Sequence, residues 1–231
     1  MTLTRRELRR EETEAEIKDV ARRQIATMGA TALSLRSIAR EMGLTAPALY
    51  RYFPNRDALV TALIVEAYQS LAAAMMMAEA VQARDDFHGR FQSIAFAFRE
   101  WAVQHPQDFT LIYGTPIPGY EAPREQTVAP ASQVLQAIGF VLIEAWQMGR
   151  LNVPPVYEEI PPAMHTVVTE ILQSLPTEVP AAGVVLTMTI WARLYGVVWG
   201  ELYEHFVPGL AESGVLYQME VAAICAELGF Q

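Results

Sequence analysis

Cysteine is almost missing from this chain: Cys225 is the single one in 231 residues. That scarcity excludes an internal disulfide framework and any multi-cysteine zinc or iron–sulfur site, and it points to a buried thiol in a reducing compartment. Histidine is scarce as well, and its four positions (His88, His105, His165, His205) are scattered, with no HExxH pair, no glycine-rich phosphate loop and no nucleophile elbow beside them. Catalysis therefore finds no support, and neither a metal nor a cofactor is expected. Glu201, Glu204 and His205 fall close together and are expected to be ordinary helix-surface charges. Strict apolar/polar alternation is absent too, which removes the usual signature of strands. Met1 to Arg10 is polar and lacks the apolar core of a secretory signal.

What is present is apolar bulk, 52% of residues, with aromatics at 10% and ten methionines, enough to exclude a disordered chain. The net charge of −9 argues at first against nucleic acid, yet it is unevenly placed. Residues 1–60 hold 11 basic against 8 acidic side chains, and residues 61–231 hold 6 against 18. The asymmetry implies a basic head and an acidic body with different partners. Two apolar stretches test for membrane insertion. Gln126 to Ile143 carries too many polar groups, and Val179 to Gly200 has a central Arg193 and acidic flanks, so a buried or interface helix is expected and no membrane partner.

Helical spacing recurs along the chain. Ile17, Val20, Ala21, Ile25 and Met28 mark a first helix from about Glu11, stopped by Gly29; Ser34 is placed to cap a second with Leu35, Ile38 and Ala39 inward, ended by Gly43. Thr45 caps a third, with Pro47 in its first turn and Leu49 and Phe53 inward. Asn55 caps a long fourth helix from Arg56 to about Ala83, and six more follow between Phe87 and Leu228. Two proline-rich segments, Thr115 to Pro123 and Asn152 to Pro162, read as rims or lids rather than core.

Ser34 to Leu59, SLRSIAREMGLTAPALYRYFPNRDAL, has the layout of a helix-turn-helix: a short helix, a turn at a glycine, and a second short helix able to enter a major groove. Outward on the second helix are Thr45, Ala46, Pro47, Tyr50, Arg51 and Tyr52, hydroxyls, a guanidinium and small apolar groups suited to phosphates, base edges and thymine methyls. The stretch Leu35 to Leu59 resembles the TetR family of transcriptional regulators nearly throughout, with Met42, Tyr52 and Arg56 standing where Ala, His and Lys are common. The resemblance implies an all-α protein: a three-helix head with the helix-turn-helix, residues 1–56, and a larger helical ligand-binding and dimerisation domain, residues 57–231. It implies phosphate contacts from Tyr50, Tyr52 and Arg56, a flanking phosphate contact from Arg36 beside the capping Ser34, and base contacts from Thr45, Ala46, Pro47 and Arg51. Packing within the head is the competing role for Tyr50 and Tyr52. The arm with Arg5, Arg6, Arg9 and Arg10 either follows the DNA backbone or is a solvated tail, its field diluted by Glu7, Glu11 and Glu12.

Farther on, WARLYGVVWGELYEHF (Trp191 to Phe206) is similar to the WHG-type C-terminal domain of part of that family, with Tyr195 in place of its histidine. The resemblance implies a homodimer through the last two long helices, helped by Gly196 and Gly200 as a smooth surface and by a stripe of Val215, Leu216, Met219, Ala222, Ala223 and Ala226. A pocket for an apolar or aromatic effector is expected among Phe96, Trp101, Phe109, Tyr113, Trp146, His165, Met188, Trp191 and Tyr195, and ordinary core is the alternative for each. Arg99 or Arg193, if inward, would favour an acidic effector. The functional expectation is a cytoplasmic, ligand-responsive regulator, a repressor acting on a palindromic double-stranded operator. The alternative is a small-molecule sensing module without sequence-specific DNA binding.

Overall fold

A computed structural model of the chain describes residues 4–175, 178–207 and 214–230. Among them it is all-α, with ten helices: α1 Arg5–Met28, α2 Leu35–Glu41, α3 Ala46–Tyr50, α4 Arg56–Ala80, α5 Phe87–Gln104, α6 Pro106–Tyr113, α7 Arg124–Gln147, α8 His165–Ser174, α9 Ala181–Leu202 and α10 Val215–Leu228. The chain forms two compact units, one of Met1–Gln69 with His105–Pro130 and one of Ser70–Gln104 with Ala131–Gln231.

The first helix starts six residues before the expected Glu11, and its cause is legible in the sequence. Thr4-x-x-Glu7 is a capping box: Glu7 N donates to Thr4 Oγ1 at 3.3 Å, and Glu7 Oε2 accepts from Thr4 N at 2.7 Å. The arginine arm is therefore helical. The caps of α3 and α4 form as expected, with Ala48 N donating to Thr45 Oγ1 at 3.4 Å and Ala58 N donating to Asn55 Oδ1 at 2.8 Å. Ser34 stands at the N-cap of α2 but its side chain makes no capping hydrogen bond, so that expectation is not met.

In the first unit, Ile17, Val20 and Ile25 of α1, Leu35 and Ile38 of α2, Leu49 of α3, Phe53, and Leu59, Leu63 and Ile64 of α4 form one buried cluster. The proline-rich segment before α7 is part of this unit and not a rim. Ile117 and Tyr120 pack on the same cluster, Tyr120 shares a 2.9 Å hydrogen bond with Thr61, and Phe109 of α6 is fully buried. Prolines stiffen that segment, but its apolar side chains still find a core. Charged groups tie α1, α4 and α6: Lys18 and Arg22 each meet Glu66 at 2.7 Å, and Arg22 reaches Asp108 at 3.0 Å.

The second unit centres on Phe87, Phe91, Ile94 and Phe98 of α5, Val134, Ile138 and Val141 of α7, and Leu186, Ile190 and Leu194 of α9, with Tyr217 of α10 donating its hydroxyl to Ala95 O at 2.6 Å. Cys225 is buried as well, and burial pushes its thiol up to about 11. Helices α4, α7 and α9 are each long and apolar enough, by length and composition, to cross a membrane. In this structure those apolar faces supply Leu59 and Leu63, Ile138 and Val141, and Ile190 and Leu194 to the packed interiors just described.

Candidate nucleic-acid interface and effector cavity

The turn between α2 and α3 is set by Gly43, whose φ of 67° falls in the left-handed region that a side chain disfavours. Met42 N returns to Ile38 O and Leu44 N to Ala39 O, closing the end of α2 before Thr45 opens α3. Leu49, with no exposed surface, and Phe53 plug α3 into the head cluster and so fix its rotation about its own axis. The rest of α3 is thereby turned outward. Thr45, Pro47, Tyr50 and Arg51 are exposed, and Ala46 is half-buried. Arg36 is exposed on α2, and Ser34 half-buried beside it.

Two of the expected contacts have other work. Tyr52 is half-buried against the head cluster, with the Arg10 guanidinium 5.8 Å from its ring centroid. Arg56 donates from NH2 to Ala30 O at 2.9 Å, strapping the start of α4 to the turn after α1, while its Nε is buried without a partner. Its remaining nitrogen, NH1, lies 3.7 Å from Asp57 Oδ1, so a phosphate would have to share it.

The expected effector residues are divided between the two units, and those of the second unit do not line one cavity. Phe109 and Tyr113 belong to the first unit, where Tyr113 meets Tyr68 edge-on at 5.7 Å. Trp101 is core, its indole N–H donating to Ser70 at 3.0 Å. Trp191 stacks on Tyr195 and meets Phe98 edge-on at 4.9 Å. Trp146 is exposed on α7, and His165 is exposed with Nε2 2.9 Å from Ile160 O. Phe96 borders a cavity of about 310 Å³ with Arg99 and Tyr217. Only Met188 reaches the largely apolar cavity of about 300 Å³ between α7, α8 and α9, walled by Leu135, Phe140 and Ile143, Ile171 and Leu175, and Thr187. Its walls are mostly aliphatic, so aromatic residues do not mark it; the signal that does is the uncharged run along α7.

The two body arginines are already paired. Arg99 Nε lies 2.6 Å from buried Glu201, which is thus no surface charge; burial raises its carboxyl, and Arg99 opposes that rise. Arg193 bridges Glu220 and Glu227 of α10, both at 2.5 Å. Neither is left to attract an acidic effector. On α9 and α10, Gly196, Ala192, Val215, Met219, Ala222, Ala223 and Ala226 are exposed. Gly200 departs from the expected smooth surface: Phe206 lies over it, and a Cβ there would stand 2.4 Å from the ring.

Comparison with known proteins identifies the lineage. Residues 17–63 match the profile of bacterial regulatory proteins of the tetR family, and residues 91–224 that of a tetracyclin repressor-like C-terminal domain. The chain belongs to the TetR family of transcriptional regulators. HTH-type transcriptional regulators of Mycobacterium bovis and Mycobacterium tuberculosis are 32% identical to it over 220 residues, 95% of this chain and 93% of theirs. The crystal structure of the regulatory protein SCO4313 superposes with a TM-score of 0.77 at 33% identity, covering 96% of this chain and 100% of that one. A SmeT–triclosan complex shares the fold at a TM-score of 0.62 and 18% identity, covering 92% and 91%. In this TetR-family chain the profile that spans the helix-turn-helix precedes the C-terminal one.

Proposed function

We propose that the protein is a cytoplasmic, homodimeric repressor that grips a palindromic operator through two α3 helices and lets go when a small apolar molecule enters the α7–α8–α9 cavity. The observation that carries this reading is the division of labour on α3: Leu49 and the adjacent Phe53 anchor the head, and Thr45, Pro47, Tyr50 and Arg51 face solvent with no packing to do. Residues 1–56 are the reading head and residues 57–231 the regulatory part in this scheme. Paired heads would meet half-sites about 34–36 Å apart. Arg51 takes the base-reading role because a guanidinium pairs bidentately with guanine, a contact worth about 1–3 kcal/mol of discrimination. Arg36 and Tyr50 take phosphate roles, and Tyr52 and Arg56 act mainly by holding the head's shape.

The exposed apolar and small residues of α9 and α10 favour a second copy of the chain as their cover. The cavity favours a neutral ligand, because no charged side chain lines it and Arg99 and Arg193 are neutralised. The triclosan bound by SmeT is a neighbour's ligand and supports only the idea of such an effector. The test is a titration of the dimer with a palindrome from its own upstream region and with random duplex at the same salt. Wild type prefers the palindrome, and Arg51→Ala loses about ten-fold or more of that preference at the bases it reads. Equal affinity of wild type for both duplexes overturns the reading.

A further inference from the structure

The helical arm places its charges in a pattern that the fold itself does not use. Arg5, Arg6, Arg9 and Arg10 recur at i, i+1, i+4 and i+5, so all four fall on one face of α1. That face forms one wall of a concavity of about 950 Å³, and Arg51 and Tyr52, at the end of α3, line the other side. The segregation removes the dilution that the sequence suggests. Glu11 and Glu12 do not line the concavity; Glu7 does, but its carboxylate already accepts from Thr4 N and Oγ1. Arg10 is engaged with Glu14 at 2.9 Å and lies over the Tyr52 ring. Arg5, Arg6 and Arg9 make no side-chain hydrogen bond or ion pair among the described residues.

Such an arrangement is intrinsically unfavourable. Like charges four residues apart on a helix repel by about 0.2–0.5 kcal/mol per pair, and cations in a first turn oppose the helix dipole. No carboxylate across the concavity offsets this, since the facing wall adds another cation, Arg51. Water and counterions screen these exposed cations in the free protein, and a polyanion laid in the concavity would neutralise them together. The stripe from Arg5 to Thr13 is about 12 Å long, and a DNA strand presents one phosphate per about 3.4 Å of axis, so about three phosphates fit alongside it.

We propose that the concavity between the first turns of α1 and the end of α3 seats the DNA backbone flanking the half-site, making α1 a second phosphate-binding element. The proposal rests on α3 being the reading helix, and it extends the contact surface beyond the helix-turn-helix. It is tested with the full-length protein by titrating palindromic and random duplexes over a series of salt concentrations. Replacing Arg5, Arg6 and Arg9 together by Gln weakens binding to both duplexes alike and flattens the plot of log affinity against log salt by about 0.9 per lost contact. The preference for the palindrome stays as in wild type, and the melting temperature does not fall and rises slightly, because these side chains have no partners in the fold and repel one another. A second variant, Arg9→Gln with Ala15→Arg, keeps the net charge but moves one cation to the opposite face. It should lose the same slope increment as Arg9→Gln alone.

If wild type prefers its palindrome while the triple variant keeps the wild-type slope, the groove proposal is overturned and the reading by α3 stands. Recovery of the slope in the relocated-charge variant also overturns it, since net charge alone then explains binding. If wild type shows no preference for the palindrome, both readings fall together.

Discussion

Arg90 is the largest fully buried side chain, 1% exposed, and every one of its nitrogens has an acceptor: Glu79 at 2.5 Å, Glu144 at 2.7 Å and the carbonyl of Arg84 at 2.8 Å. A guanidinium inside a domain survives only when so completely satisfied. Arg90→Ala would leave Glu79 and Glu144 facing each other with Arg84 as their one remaining counterion. The expected loss is about 3 kcal/mol, at the lower end for a broken buried pair because Glu144 is partly solvated, and urea unfolding measures it. Glu66 makes a pH-dependent counterpart in the first unit. Burial acts to raise its carboxyl, but hydrogen bonds from Lys18 and Arg22 outweigh burial and hold it below the usual range. A lowered native value means that its contribution is complete above about pH 4.3 and fades as the pH falls below that, when the native state must take up a proton. An acid titration of stability should therefore be shallower below pH 4.3 for Glu66→Gln than for wild type.

At the scale of elements, Gly196 and Gly200 look equivalent in sequence and are opposite in structure. Phe206 covers Gly200, whereas nothing lies within 4 Å of a Cβ built at Gly196. Leucine at Gly196 therefore suits the single chain, where it gains about 1 kcal/mol of helix propensity. It would stand between two copies packed through α9. Gly196→Leu is expected to sediment as a monomer with its helix content intact, and a dimer of unchanged strength would remove α9 from the interface. The same contrast shows how far sequence reasoning reaches. Local signals are written where they act: Thr45, Asn55 and Gly43 announce their caps and turn, and Leu49 and Phe53 announce their inward face. Thr4 and Glu7 have the spacing of a capping box, a signal masked by the surrounding arginines, which resemble a solvated arm.

What a side chain meets across the fold is not local, and there the sequence falls silent. The partner that neutralises Arg99 lies 102 residues away at Glu201, and Arg56 is tied to a carbonyl 26 residues before it. Tryptophan and tyrosine advertise bulk wherever they stand, so they do not mark a pocket whose walls are largely aliphatic. The cavity gives a prediction for the whole molecule. Gly139 borders it, and a Cβ there meets Thr187 at an ordinary 3.6 Å, so Gly139→Leu can fill the space without displacing backbone. Neutral apolar ligands that raise the melting temperature of wild type and weaken its grip on the operator should do neither in this variant. Ligand release that persists in Gly139→Leu would place the effector elsewhere.

The grouping of His105–Pro130 with the head has a practical consequence for anyone exchanging parts between such regulators. A graft cut once, just after the helix-turn-helix, would bring in Ile17, Leu35, Leu49 and Phe53 from the donor without the donor's Ile117 and Tyr120, which pack on the same cluster. The packed unit that supports the reading head is discontinuous. A chimera that keeps its operator preference and folds as well as its parents should need both segments, residues 1–69 and 105–130, taken from the same donor.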